Sequence, residues 1–395
     1  MSRIHKPHSG SLAFYPRKRA KKETPSFRTI GAAGESRALN FLGYKAGMVH
    51  AIAKNEHQKS VTFGQDIVVP CTVIECPPLK VFGVRAYART PYGARVLGES
   101  TIGKPDRFLR KKIKGFKQKH GKQKGEKKEA GQMEGKKTEV QETSVAGLER
   151  EKEKVNALRL LVATQPNLAD FGKKKPEISE VFLAGSVDEQ FEFAKEKLGK
   201  ELRASEVFQE KQFVDVKAVD AGKGFSGVIK RFGVKVQRPK AKKRRIVGSI
   251  SPWSPSTVMW TVPRPGQMGY QSRTELNKRI VKVSSKPAEV NVPAGFKGYG
   301  KVKGEFLLLA GSVPAPVKRA VALRHAVRKA THDRFNVSGM RVIGTKTGGK
   351  EIDEEESVKP QKVAEEKKEK KEHKSVEDEI QAALKGDKEK KPKGK

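Results

Sequence analysis

Residues 221–274 contain twelve lysines and arginines and no aspartate or glutamate. At the chain's own acid frequency, 45 in 395, a span of 54 residues would carry about six. This omission constrains folding more than any other feature. Like charges with no neutralising partner in the segment oppose its compaction. Opposite-charge pairs at helical or cross-strand spacing are also unavailable to it. Such a segment lies on a support built elsewhere, or projects into anionic surroundings. Its densest part, KAKKRR at 240–245, is followed by IVGSISPWSPSTVMW, which holds both tryptophans of the chain, Trp253 and Trp260. A tryptophan is ordinarily a largely buried residue. Trp253, however, has Pro252 and Pro255 beside it and Ser251 and Ser254 around it, which is turn chemistry. The expectation is a basic loop over 230–275 tipped by an exposed indole, which stacks on an unpaired base while cations neutralise phosphates. Trp260 packs where the loop returns, or joins the core.

The charge balance points the same way. There are 84 Lys+Arg against 45 Asp+Glu, a formal charge of +39. Nucleic acid is the leading partner for such an excess, because phosphate contacts release counterions. Only 35% of residues are hydrophobic, so part of the chain lies outside any core. Length suggests two domains, with one as the fallback. Cys71 and Cys76 have no second pair and no nearby histidine. They are read as buried small hydrophobes, not as metal ligands or a disulfide, in keeping with a reducing cytoplasm. No stretch approaches the roughly 18 apolar residues of a membrane span, and MSRIHKPHSG has no apolar signal core.

Charge is unevenly placed. The stretch 351–395 carries 13 Lys and 14 acids, a polyampholyte expected to be disordered apart from one marginal helix over 374–384. Residues 104–154 carry 17 Lys+Arg and 9 acids and read as a low-complexity charged insertion. Residues 1–30 carry eight Lys+Arg and one acid, focused in PRKRAKK at 16–22. Pro7, Pro16 and Pro25 make this an extended arm.

Between these stretches, LNFLGYKAGMVHAI, DIVVPCTVIECPP and LKVFGVRAYART are apolar, β-branched and punctuated by Gly and Pro, so they are expected strands. Residues 188–202 place Phe191, Ala194, Leu198 and Leu202 at helical spacing behind Asp188 as N-cap. QFVDVKAVDAGKGFSGVIKRFGV reads as strand, glycine turn, strand, and EVNVPAGFKGYGKVKGEFLLLAGSVP as further short strands. VKRAVALRHAVRKA at 317–330 is read as helical. The expected fold is mainly β with α insertions: a closed or nearly closed β-barrel core. Its parts are an arm at 1–38, a first barrel part at 39–103, the insertion at 104–154, an α/β insertion at 155–210, a second barrel part at 211–345 containing the basic loop 230–275, and a charged tail at 346–395.

Catalytic signatures are incomplete. Gly222-Lys223-Gly224-Phe225-Ser226-Gly227 is a literal G-x-G-x-x-G, but Pro239 and KAKKRR follow where a helix and an acid would be needed. Asp170-Phe171-Gly172 lies upstream of that loop, and no H-R-D accompanies it. The eight histidines form no H-E-x-x-H pattern and sit beside no nucleophile. The glycines are read as a turn that lets backbone approach a phosphate or a strand. No cofactor, metal or small-molecule substrate is expected. The competing functions are an RNA-modifying enzyme and a free-standing RNA chaperone with a basic groove.

HSGSLAFYPRKRAKKETPSF, FLGYKAGMVH, TVIECPPLKVFGVRAY, RTPYGARVL, GKGFSGVIKRFGV, RRIVGSISPWSPSTVMWTVPRPGQMGYQSRTELNKRI and LLLAGSVPAPVKRAVALR occur in that order and span most of residues 8–330. In these blocks the chain resembles the large-subunit ribosomal protein L3 family, archaeal and eukaryotic type. The resemblance implies a structural and assembly protein of the cytoplasmic large subunit, with a translation-protein type barrel against large-subunit rRNA near its 3′ end and neighbouring ribosomal proteins as further partners. It also implies that the internal loop and the arm run toward the peptidyl-transferase centre. There Trp253 is the tip, Lys240, Lys242, Lys243, Arg244 and Arg245 are the shaft, and Arg264, Gln267 and Arg273 lie on the returning strand. The remaining expected rRNA contacts are Arg17, Lys18, Arg19, Lys45, Lys223, Lys230, Arg231, Lys235 and Arg238. The tip would influence tRNA accommodation without doing chemistry. Asp220-Ala221 stand where the family tends to carry Thr-Lys, and Ala241 where eukaryotic members carry a modified histidine. Thr90-Pro91-Tyr92-Gly93 favours an archaeal source.

Overall fold

The computed structural model describes residues 10–28, 38–55, 59–102, 105–113, 145, 147–328 and 341–343. The tail, with its expected disorder and helix, and the centre of the charged insertion lie outside the described residues.

The described chain is mainly β with a few short helices. Its strands are β1 Asn40–Lys54, β2 Asp66–Glu75, β3 Leu79–Thr90, β4 Gly93–Thr101, β5 Ala157–Ala163, β6 Ile178–Phe182, β7 Glu201–Leu202, β8 Phe213–Val219, β9 Phe225–Ser226, β10 Gly266–Gln267, β11 Ser272–Ser284, β12 Phe306–Ala310, β13 Ala320–His325 and β14 Arg341–Ile343. The first sheet runs β13-β8-β11-β12-β2-β1-β14, and β1 also pairs with β13. Asn40–Tyr44 of β1 lie antiparallel to Arg324–Ala320, and further along β1 pairs with β2 from Tyr44↔Glu75 to Lys54↔Asp66. The second sheet runs β4-β3-β5-β6, with β7 on β3. The segment 39–103 is therefore divided: β1 and β2 belong to the first sheet, β3 and β4 to the second.

The core explains why FLLLA is apolar at every position. In β12, Leu307 and Leu309 join one buried cluster with Phe41, Leu42, Ile74, Leu158 and Leu160. Phe306 and Leu308 join the other, with Tyr44, Val73, Phe171, Phe296 and Tyr299. A strand covered on both faces reads as a continuous apolar run. Burying each leucine contributes about 1.5–3 kcal/mol. Cys71 and Cys76 are buried free thiols, and burial pushes the Cys71 pKa up to about 11.

Three local expectations are corrected. The helix is Val187–Lys197, and its N-cap is Ser186 rather than Asp188. Ser186 and Glu189 form a reciprocal capping box, which satisfies two orphan N–H groups that Asp188 would leave open. The chain turns extended at Leu198, so Leu202 enters β7. VKRAVALRH is not helical: Ala320–His325 form β13, held between β1 and β8. Two backbone ladders outweigh a weak helical pattern there. After the glycine turn, β9 is only two residues long and Val228–Phe232 is a short helix rather than a strand. It buries Val228 and Phe232 on one side and stops at Gly233, whose φ of 70° suits a residue without Cβ.

Candidate nucleic-acid interface

The basic loop leaves the body through a narrow neck. β9 and β10 pair by two residues, Gly266↔Ser226 and Gln267↔Phe225. Flanking bonds run from Lys223 N to Met268 O and from Met268 N to Gly224 O, both 2.9 Å. Gly269 makes this approach possible: at φ 70°, a Cβ there would strike the Ala221 carbonyl oxygen.

Beyond the neck, residues 234–265 contain no helix or strand. Among the described residues, the finger's cross-bonds are few. Gln237 N donates to Arg244 O and Ala241 N to Arg238 O, both 3.0 Å. Gln237 Nε2 donates to Ile246 O at 3.2 Å. Every cation from Lys235 to Arg245 is exposed. Trp253 is 99% exposed, with no ring partner among the described residues. Trp260 is not a core residue: it is 66% exposed and meets the Tyr15 ring edge-on at 5.4 Å.

The arm straps the base of the finger. Arg17 Nη1 donates to Arg231 O at 2.8 Å, and its guanidinium lies 4.2 Å from the Phe232 ring centroid. Arg231 answers with Nε to Gln267 O at 3.0 Å, Nη1 to Arg264 O at 2.7 Å and Nη2 to Arg17 O at 3.4 Å. Burial, and after it the charge of Arg17, lowers the Arg231 pKa from its ordinary value. Tyr15 stacks on Phe232 with centroids 6.1 Å apart. Further along, Ala20 N bonds Tyr270 O at 2.8 Å, Lys217 Nζ bonds Ser26 O at 2.6 Å, and Arg319 pairs with Glu23 at 3.0 Å.

The expected contact residues thus separate into two groups. Arg17, Lys45, Arg231, Gln267 and Arg273 are half-buried and committed inside the protein. Lys45 Nζ donates to Val313 O at 2.8 Å, and burial lowers its pKa against the opposing charge of Glu275. Gln267 Nε2 donates to Gly269 O at 2.9 Å. Arg273 Nη2 donates to Gln271 Oε1 at 2.7 Å, its guanidinium covers Phe14 at 4.4 Å, and its Nε is 3.9 Å from the Asp220 carboxylate. Asp220 also accepts from Gln271 N at 2.6 Å, so the acid at this atypical position is in structural use. The others are exposed: Lys18 and Arg19 on the arm, Lys223 and Lys230 at the neck, Lys235, Arg238, Lys240, Lys242, Lys243, Arg244 and Arg245 along the shaft, and Arg264 on the return. Tyr15, Phe232 and Tyr270, which organise the strap, escaped the sequence reading. Their partners lie more than 200 residues away along the chain, where no local pattern registers them.

Among the described residues, no three His, Cys, Asp or Glu side chains gather as metal ligands, and no helix is long and apolar enough to cross a membrane.

The family model described as ribosomal protein L3 matches residues 1–365. The large ribosomal subunit protein uL3 of Methanothermobacter thermautotrophicus is 42% identical over 336 residues, covering 84% of this chain and 94% of the relative. That of Methanocaldococcus jannaschii is 42% identical over 330 residues, 82% and 92% of the two chains. That of Archaeoglobus fulgidus is 39% identical over 342 residues, 85% and 96%. With its family model matched over most of its length and such relatives covered almost whole, the chain belongs to the ribosomal protein L3 family.

Proposed function

We propose that this protein is a structural constituent of the large ribosomal subunit, not an enzyme, working in the cytoplasmic ribosome. It binds large-subunit rRNA near its 3′ end, supports early subunit assembly and extends its Trp-tipped finger toward the peptidyl-transferase centre. Neighbouring large-subunit proteins are its other partners. The observation that carries the reading is the finger itself: exposed, acid-free and almost without internal bonds. A protein-only environment does not hold such a shape, whereas surrounding phosphates do.

The first sheet is read as a closed barrel of the translation-protein type. The circuit β13-β8-β11-β12-β2-β1 and back to β13 supports this, since closure leaves no edge along it. β1 and β2 from the segment 39–103 and the strands β8, β11, β12 and β13 from 211–345 supply its parts, 155–210 form an α/β insertion, and 1–38, 104–154 and 346–395 are arm, insertion and tail. The exposed cations and Trp253 touch rRNA directly. Arg17, Lys45, Arg231, Gln267 and Arg273 serve by placing the arm and the finger.

Gradient sedimentation of cell extract tests the reading. The protein is expected to co-migrate with large subunits after a high-salt wash. Recovery at the top of the gradient refutes a structural role. Trp253→Ala is expected to leave the melting transition unchanged, because the ring has no packing partner to lose.

A further inference from the structure

We propose that the junction of arm and finger is a receptor for one unpaired RNA nucleobase, separate from the Trp253 tip. This rests on the rRNA-binding reading above and adds a base-specific site to it. Between the returning finger and the arm lies a cavity of about 240 Å³, lined by Tyr15, Phe232, Met259, Trp260 and Arg264 among others. That is smaller than the roughly 300–1,000 Å³ of sites that enclose whole drug-sized ligands. It suits a single flat ring system.

Two independent features select a base. First, Trp260 keeps most of its surface open although one edge is pinned by Tyr15. It offers a stacking face held at a fixed angle. Base–aromatic stacking depends on such a face and tolerates any base. Second, Arg264 is exposed at the rim, and no acid occurs from residue 221 to 274. The surroundings therefore favour a phosphate on the extruded nucleotide and disfavour a cationic ligand.

The test uses the full chain carrying Trp253→Phe, which leaves Trp260 as its only indole. It is titrated at one salt concentration with a uridine pentanucleotide bearing adenine at the centre, and with the same oligomer abasic at the centre. The adenine oligomer is expected to quench the indole emission and to bind about 5- to 150-fold tighter, the worth of one stacked base. Equal affinity of the two oligomers, with indole emission unmoved, overturns the base site but leaves the rRNA-binding function standing. Absence of any salt-sensitive RNA binding overturns both.

Discussion

The division between free and committed cations makes a quantitative prediction about salt. Arg238, Lys240, Lys242, Lys243, Arg244 and Arg245 are exposed, and their side chains have no ion-pair or hydrogen-bond partner among the described residues. If each reaches a phosphate, each contributes about 0.7–0.9 to the slope of log affinity against log salt. Replacing all six with glutamine is therefore expected to flatten that slope by about four to five. The control replaces Lys195, Lys197, Lys278, Lys282 and Lys303, each 2.6–3.0 Å from a carboxylate. Because those charges are already neutralised within the protein, the control slope is expected to change by about one or less. Fluorescence anisotropy with a labelled large-subunit rRNA fragment, between about 50 and 200 mM salt, measures both. The contrast separates placed charge from net charge. An unchanged slope in the finger variant, or similar flattening in both, refutes the reasoning.

Three further outcomes concern the scaffold. Asp215 is buried and accepts from Arg324 Nε at 3.0 Å, Arg324 Nη2 at 2.9 Å and Asn277 N at 3.1 Å. Asp215→Ala removes the buried carboxylate that accepts two bonds from the half-buried Arg324 guanidinium and is expected to cost about 3–5 kcal/mol, of which adding Arg324→Met recovers part; a thermal melt of the single variant matching the parent contradicts this. Gly269→Ala combines a left-handed φ with a backbone collision at the neck, and is expected to cost at least about 1–3 kcal/mol by denaturant titration; an unshifted midpoint means the neck yields freely. For Glu180, burial opposes ionisation, but hydrogen bonds from Arg159 and Tyr87 and the charges of Arg85 and Arg159 hold its pKa below the ordinary 4.5. A depressed carboxylate contributes stability that is complete above its unfolded pKa and lost as pH falls through the folded one. The stability gap between the parent and Glu180→Gln is thus expected to be widest near neutrality and to shrink below pH 4.5; a gap that widens in acid reverses the sign of the argument.

Much of the architecture was readable from local pattern alone. β1, β2 and β3 announce themselves through β-branched runs broken by Gly and Pro, because strand propensity and turn chemistry depend on near neighbours. The exposure of Trp253 follows from its prolines and from the missing acids around it. Ordered blocks such as GKGFSGVIKRFGV and SISPWSPSTVMW were sufficient to indicate the family. Other features depend on what lies opposite in space. VKRAVALRH suits a helix or a strand by sequence, and becomes β13 because β1 and β8 leave a slot with backbone donors and acceptors on both sides. Arg17 and Lys18 are adjacent cations with different fates: Phe232 and the Arg231 carbonyl, far along the chain, capture the first and leave the second exposed. The sequence by itself determined where the positive charge is and that nothing local neutralises it. Only the tertiary structure decided which of those charges remain available, since a side chain's partner is chosen by three-dimensional proximity that composition and spacing do not encode.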